Sequence, residues 1–126
     1  MKSKILIIED NEQNMYMLTY LLESNEYEVL QSFTGADGIA LAKENKPDII
    51  LLDIQLPEMD GYTVAKKLRD NQNLDDTPII AVTSYAMPGD REKVLEAGAD
   101  GYLEKPIDPD TFISQMETII AQKGNL

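Results

Sequence analysis

The amino-acid sequence predicts a doubly wound α/β fold, a five-stranded parallel sheet built from five strand–helix units. Two observations predict it: short apolar runs alternate with amphipathic helical periodicities along all 126 residues, and a polar residue directly follows most of the runs. Alternation of this kind implies a parallel sheet with right-handed crossovers and helices on both faces. Because no internal repeat, low-complexity segment or linker interrupts it, we expect a single domain over residues 1–126.

Five short segments are predicted to form the strands. Most are rich in Ile, Leu and Val over four residues, as expected for strands that are buried on both faces of a sheet. Pro47 and Pro78 lead the chain into the third and fourth strands. The predicted strands are Lys4–Ile8, Tyr27–Gln31, Ile49–Asp53, Ile79–Thr83 and Gly101–Leu103.

Apolar residues at helical spacing predict the helices between the strands. The stripes that mark the first, third and fifth helices are Met15, Leu18 and Leu22; Gly61, Val64, Ala65 and Leu68; and Phe112, Met116, Ile119 and Ile120. The second and fourth helices are predicted at the alanine-rich segment Ala36–Lys43 and at Asp90–Ala97, with a polar loop at Asp70–Thr77.

Capping residues predict where two of these helices end and begin. Gly98 is placed to terminate the fourth helix, because glycine readily adopts the left-handed conformation that follows a helix. Asp108 followed by Pro109 is typical of an N-cap and a first helical residue, so we expect the last helix to begin there and to end at about Lys123.

Composition excludes several function classes. The net charge of −12 disfavours nucleic acid and anionic membrane surfaces as partners. No apolar run approaches the roughly 20 residues of a membrane span, and no secretory signal is evident, so we expect a cytoplasmic protein. The absence of Cys and His excludes disulfides, thiolate ligands and histidine-based acid–base chemistry.

Polar side chains end or follow four of the predicted strands: Glu9 and Asp10, Asp53, Thr83, and Lys105. Taken singly, each has an ordinary explanation, such as a strand-end acid, a helix N-cap or a solvated lysine. The carboxyl ends of parallel strands share one edge of a sheet, however, and three carboxylates that meet there repel one another unless a cation intervenes. Together they predict a magnesium site completed by a phosphoryl group.

The order of these residues resembles the receiver domain of two-component response regulators. The stretches that carry the resemblance are LIIEDN at 6–11, DIILLDIQLPEMDG at 48–61, IAVT at 80–83 and GADGYLEKP at 98–106. The sequences of these stretches most resemble those of DivK-type single-domain regulators and of receivers attached to hybrid kinases. The resemblance covers essentially the whole chain and implies a flavodoxin-like sheet with strand order 2-1-3-4-5, with no room for an output domain.

The resemblance implies a role for each acidic residue. Asp53 is expected to be the phosphoacceptor. Mg²⁺ (or Mn²⁺) is expected to be held by Glu9, Asp10 and Asp53 together with the backbone carbonyl of Gln55. Of the first two, Asp10 is the expected direct ligand, whereas Glu9 acts largely through water.

The resemblance also assigns the residues that contact and sense the phosphoryl group. Thr83 and Lys105 are expected to contact its oxygens, and the bond between Lys105 and Pro106 is expected to be cis. Tyr102 matches the switch aromatic, which turns inward when Thr83 moves towards the phosphoryl group. Three positions that tune rates in the family are Gln55, Ser84 and Tyr85.

The partners implied are a sensor histidine kinase or a histidine phosphotransfer protein, which supplies the histidine that this chain lacks. The first helix is expected to meet the phosphotransfer partner. A downstream protein target is expected on the fourth helix, fifth strand and fifth helix. The chain could serve as a diffusible signal, a phosphorelay intermediate or an adaptor for kinases, and it needs no enzymatic activity beyond its own phosphorylation and dephosphorylation.

Three other interpretations are weaker. A flavodoxin needs a phosphate-binding loop after its first strand, but Glu9, Asp10 and Glu12 would repel a flavin phosphate. A phosphatase of the haloacid dehalogenase type typically places a second acid two residues after its nucleophile, where this chain has Gln55. A structural adaptor with an inactive site would not need the complete set of site residues.

Overall fold

The computed structural model describes residues 2–56, 59–84 and 89–124. Its five strands are β1 Lys4–Ile8, β2 Glu28–Ser32, β3 Ile49–Asp53, β4 Ile79–Thr83 and β5 Gly101–Glu104. All pairings are parallel and the strand order is β2-β1-β3-β4-β5. The predicted fold class and strand order are therefore confirmed, and β1 and β3 lie side by side.

Helices cover both faces of the sheet. They are α1 Glu12–Ser24, α2 Gly35–Asn45, α3 Gly61–Arg69, α4 Asp90–Glu96 and α5 Phe112–Gly124. Side chains alternate across the sheet, as they must in a strand. On β1, Leu6 and Ile8 enter the core that α2, α3 and α4 cover, whereas Ile5 and Ile7 enter the core beneath α1 and α5.

Some element boundaries differ from the predictions by one or more residues. β2 begins at Glu28 because the backbone N–H of Tyr27 donates to the carbonyl of Leu22 (3.0 Å) and so closes the end of α1 instead of joining the sheet. β5 continues through Glu104. The segment predicted as a polar loop contains a short 3-10 helix, Gln72–Leu74, which buries Leu74.

The start of α5 was predicted three to four residues too early. Asp108 does organise the turn, since its Oδ1 accepts from the N–H of Asp110 (3.0 Å) and its carbonyl accepts from the N–H of Phe112 (2.9 Å). The carbonyl also accepts from Thr111 at 3.1 Å, so the first turn is tighter than an α-helix. Regular helix therefore begins at Phe112.

Two glycines are required by the way the helices join the sheet. Gly98 follows α4 with φ of +119°, a conformation that strains other residues. Gly61 is the first residue of α3 and packs against Ile54, the residue that follows β3. A Cβ at position 61 would overlap the backbone of Ile54. The N–H of Gly61 donates to the carbonyl of Ile54 (2.9 Å). This contact sets where α3 leaves the edge of the sheet next to Asp53.

An ionic cluster that the sequence did not predict joins helices and strands at the amino end of the sheet. The Asp100 carboxylate accepts from Arg69 Nη2 (2.8 Å), Lys123 Nζ (2.9 Å) and the N–H of Ile79 (2.9 Å). Arg69 also donates to the carbonyls of Gly98 (2.9 Å) and Leu74 (2.6 Å). The cluster thus ties α3 and the turn after α4 to β4, and it reaches α5 on the opposite face.

We expect Asp100→Asn to lower the free energy of unfolding by about 1–3 kcal/mol, because it leaves the half-buried charges of Arg69 and Lys123 without their counterion. Urea denaturation measures the change. Asp76→Asn, at an exposed position of the preceding loop, is the matched control and should stay within about 0.5 kcal/mol of the wild type. Equal stability of the two variants would show that the cluster contributes nothing.

Candidate functional site

Three carboxylates meet at the carboxyl edge of the sheet. Glu9 and Asp10 follow β1, and Asp53 is the last residue of the neighbouring β3. One carboxylate oxygen from each residue lies within 4.8 Å of the others. Glu9 and Asp53 are only 1% and 4% exposed, whereas Asp10 faces solvent. Two buried acids this close require a compensating cation.

Lys105 supplies one positive charge to these acids. Its Nζ lies 3.0 Å from Glu9 Oε1 and 3.4 Å from Asp53 Oδ2. Burial lowers the pKa of the Lys105 ammonium, but the two carboxylates outweigh burial and hold that pKa above its usual value. The backbone places the lysine here, since its N–H donates to the carbonyl of Thr83 (2.7 Å). The following peptide bond, to Pro106, is cis.

Backbone amides orient the buried carboxylates. The N–H of Gln55 donates to Asp53 Oδ1 (3.0 Å), and the N–H of Asn11 donates to Glu9 Oε2 (3.3 Å). The main chain of Glu9 is itself held by its N–H bond to the carbonyl of Ser32 (2.9 Å). Each acid therefore has one oxygen fixed by the protein and one that faces the shared site.

The pKa of Glu9 is raised to about 7. Burial of the carboxyl group is the largest cause, and the neighbouring Asp53 raises the pKa further, while Lys105 opposes both. When no other cation is present, Glu9 is therefore protonated more readily than an ordinary glutamate. A bound cation would favour the ionised form.

The donor set fits a hard divalent cation. With all four groups ionised, three carboxylates and one ammonium leave two uncompensated negative charges. Glu9 Oε1 is fully buried and, among the described residues, pairs with Lys105 without accepting a hydrogen bond of good geometry. Oxygen ligands carrying this much charge are what Mg²⁺ prefers.

The remaining predicted site residues lie around this centre. Thr83 is buried at the end of β4, one residue beyond Val82, the register partner of Asp53. Tyr102 lies on β5 opposite Ala81 and packs, half-buried, against the core. Gln55 is half-buried and Ser84 is exposed, whereas Tyr85 lies outside the described residues.

Two features of the site were missed from the sequence. Asn11, rather than Glu9 or Asp10, caps α1, because its Oδ1 accepts from the N–H of Asn14 (2.9 Å). Asparagine is a preferred N-cap residue, so its type was a usable signal. Lys105 and Glu9 were both predicted at this edge of the sheet, but no local pattern predicts that their side chains form an ion pair.

A small cleft opens beside the buried acids. It has a volume of about 140 Å³ and lies between α1 and the segment that follows β5. Its mainly apolar walls include Asn14, Met17 and Leu18 from α1 and Ile107 from the opposite side, with Glu9 and Lys105 at its end. None of the described helices is both long and apolar enough to cross a membrane.

Comparison with known proteins agrees with this geometry. The profile of the response regulator receiver domain family matches residues 5–117. The polar-differentiation response regulator DivK of Brucella ovis is 41% identical over 120 residues, which cover 95% of this chain and 98% of that protein. DivK proteins of other Brucella species match equally well.

Solved structures share the fold closely. The chemotaxis protein CheY4 of Vibrio cholerae superposes with a TM-score of 0.90 at 27% identity, covering 94% of this chain and 99% of that one. The receiver domain of the sensor histidine kinase PA1611 from Pseudomonas aeruginosa superposes at 0.87 with 34% identity, covering 96% and 99%. That structure is described with a magnesium ion coordinated in its active site cleft.

The raised pKa of Glu9 predicts a pH dependence of stability in metal-free protein. Between the ordinary pKa of 4.5 and about 7, the folded state binds more protons at Glu9 than the unfolded state does. The contribution of Glu9 to the free energy of unfolding is therefore present below pH 4.5 and is lost as the pH rises to 7, by about 1–3 kcal/mol.

Urea denaturation across this pH range, with chelator present, measures the effect. Glu9→Gln should remove this contribution to the slope, whereas Glu12→Gln, at an exposed position, should retain it. If Glu9→Gln and the wild type show the same pH dependence, Glu9 does not titrate as described.

Proposed function

Since this chain belongs to the response regulator receiver domain family, we propose that Asp53 accepts a phosphoryl group from the phosphohistidine of a sensor histidine kinase or a histidine phosphotransfer protein. One observation carries the assignment. Asp53 is a strand-end carboxylate with Oδ1 held by the N–H of Gln55 and Oδ2 facing the Lys105 ammonium. Neither neighbouring acid is placed in this way, since Asp10 is exposed and the raised pKa of Glu9 favours its protonated form.

The transfer needs little covalent machinery. An oxygen of Asp53 bonds to phosphorus while the bond from phosphorus to the imidazole nitrogen breaks, and the imidazole leaves with the electron pair. The product is an acyl phosphate, which water later hydrolyses to inorganic phosphate and the free carboxylate. The partner provides the histidine, since this chain has none, and the protein is a switch that is set by its partner.

Positive charge near Asp53 lowers the barrier, because negative charge accumulates on the phosphoryl oxygens. Lys105 is already placed for this, 3.4 Å from Asp53 Oδ2. Glu9, Asp10, Asp53 and the backbone carbonyl of Gln55 would hold Mg²⁺ or Mn²⁺. When bound, the metal supplies further positive charge and aligns the phosphoryl group.

Thr83 and Tyr102 would transmit the effect of phosphorylation from the site to the surface. Thr83 is buried at the end of β4, and its carbonyl accepts from the N–H of Lys105, so the two phosphoryl-contacting residues are joined through the backbone. We assign Thr83 the role of sensing the phosphoryl group and Tyr102 that of following it inward. Gln55, Ser84 and Tyr85 would tune how long the phosphoryl group persists.

Two surfaces would serve the two kinds of partner. The phosphodonor would approach along the cleft between α1 and the segment after β5, which ends at Glu9 and Lys105. The target would bind on the face formed by α4, β5 and α5, where a groove of about 570 Å³ passes Leu95, Tyr102 and Gln115. That groove would suit either a downstream regulator or a kinase that this chain controls. If the chain is a phosphorelay intermediate, it would use the first surface both to receive the phosphoryl group and to pass it on.

We expect saturating Mg²⁺ to raise the melting temperature, because a ligand that binds only the folded state stabilises it by mass action. Thermal unfolding followed by circular dichroism measures the shift. Asp10→Asn should remove most of it, and Asp75→Asn, an exposed acid of the loop before β4, should leave it unchanged. Identical melting across a full magnesium titration would contradict the proposed metal site.

We expect acetyl phosphate with Mg²⁺ to add one phosphoryl group to the wild type, because the small donor places a transferable phosphoryl group against Asp53. Intact-mass spectrometry detects the addition. Asp53→Asn removes the nucleophile and should remain unmodified.

Thr83→Ala is the matched control, since it alters the same edge of the sheet and keeps the nucleophile. It should still be phosphorylated. A phosphorylated Asp53→Asn protein would show that another residue is the acceptor.

A further inference from the structure

Two tyrosines on α1 are largely exposed. Tyr16 and Tyr20 lie one helical turn apart and are 75% and 64% exposed. These are the highest exposures of any large hydrophobic side chain in the described part of the chain, since Phe33 and Leu95 follow at 41% and 39%. Exposed aromatic side chains grouped on one surface indicate an interaction site.

The tyrosines do not belong to the cleft proposed for the phosphodonor. That cleft is lined by Asn14 and Met17, on the side of α1 that faces the segment after β5. The opposite flank faces β2, as shown by the hydrogen bond from Gln31 Nε2 to Thr19 Oγ1 (3.0 Å). At 100° per residue, Tyr16 and Tyr20 fall between the outward direction and this β2 flank.

Acidic residues extend the same stripe at both ends. Glu12 lies one turn before Tyr16, and Glu23 lies one turn after Tyr20. We call Glu12, Tyr16, Tyr20 and Glu23 the α1 stripe. All four side chains are exposed.

The stretch of chain that carries the α1 stripe is rich in acids and lacks basic residues. The 38 residues from Ile5 to Ala42 contain no Lys or Arg. Apart from Asp10 of the site described above, their exposed acids are Glu12, Glu23, Glu26, Glu28 and Asp37. None of these five carboxylates forms an ion pair within the described residues. The carboxylates of Glu12 and Glu23 in the α1 stripe are therefore available to a partner.

We propose that the α1 stripe docks a basic amphipathic helix of a protein partner. Tyrosine ring faces attract Lys and Arg, and carboxylates at both ends of the stripe select the same residues. Apolar residues of the partner, one turn apart, would cover the ring edges. A second copy of this chain is a poor occupant, because its own α1 stripe would place like charges opposite each other.

This surface is separate from the two already proposed. It lies on the other flank of α1 from the phosphodonor cleft, and α1 is on the opposite face of the sheet from α4. A partner bound here would leave Asp53 accessible. Docking on the α1 stripe would therefore hold this chain beside a basic protein whether or not Asp53 is phosphorylated.

Two synthetic peptides of identical lysine and leucine composition test the proposal. One arranges its leucines along a single helical face, and the other has the same residues scrambled. Titration into ¹⁵N-labelled protein, followed by amide chemical shifts, gives both affinity and location. We expect the amphipathic peptide to bind at least fivefold more tightly than the scrambled one, with the largest shifts in residues 12–33.

The variant Tyr16→Gln/Tyr20→Gln should weaken binding of the amphipathic peptide at least fivefold. Glutamine suits an exposed helix position, and far-ultraviolet circular dichroism checks that the fold is kept. Leu95→Gln on α4 is the matched control for loss of an exposed hydrophobic side chain and should bind like the wild type. Likewise, Glu23→Lys should weaken binding more than Glu92→Lys on α4.

Four results would overturn the proposal. The first is equal binding of the two peptides, which indicates general attraction to an acidic protein. The second is a set of shifts centred on α4, β5 and α5. The third is unchanged affinity in the double tyrosine variant. The fourth is a dimer in sedimentation velocity that the double variant abolishes, because a second copy would then be the occupant.

Discussion

The ion pairs of Lys105 with Glu9 and Asp53 are the interaction on which the site depends. Two carboxylates that are almost completely buried and side by side would be strongly destabilising without a cation between them. The lysine compensates part of that charge, and its backbone is fixed to β4 through the carbonyl of Thr83. Burial of the carboxyl group, with Asp53 beside it, raises the pKa of Glu9. The remaining negative charge suits the site to a divalent cation.

A second ionic cluster stabilises the opposite edge of the sheet. Asp100 joins Arg69, Lys123 and the start of β4, and Arg69 also holds the carbonyl of Gly98 after α4. These groups are paired with one another and leave no excess of negative charge. The amino edge is therefore a fixed frame, whereas the carboxyl edge keeps unsatisfied charge that a ligand can change. A domain arranged in this way can respond to phosphorylation at one edge without losing its fold.

Much of this arrangement was predictable because strand and helix periodicity is a local property. The apolar runs located β1, β3 and β4, and the residues just after them located Glu9, Asp53 and Thr83 at one edge. Local competition between hydrogen bonds displaced other boundaries: Tyr27 closes α1 instead of joining β2, and the tight turn at Asp108 delays α5. The Asp100 cluster and the pairing of Lys105 with Glu9 could not be predicted, since both depend on distances between residues remote in sequence. The roles assigned to the site residues came from family resemblance and remain predictions.

The central claim is that Asp53 alone carries the phosphoryl group, and the most direct test is to locate the modified residue chemically. Borohydride reduces an aspartyl phosphate to homoserine, which peptide mass spectrometry can identify after phosphorylation with a histidine phosphotransfer protein or acetyl phosphate. We expect homoserine at position 53 and at no other position. Homoserine at position 10, or at any other aspartate in place of Asp53, would contradict it.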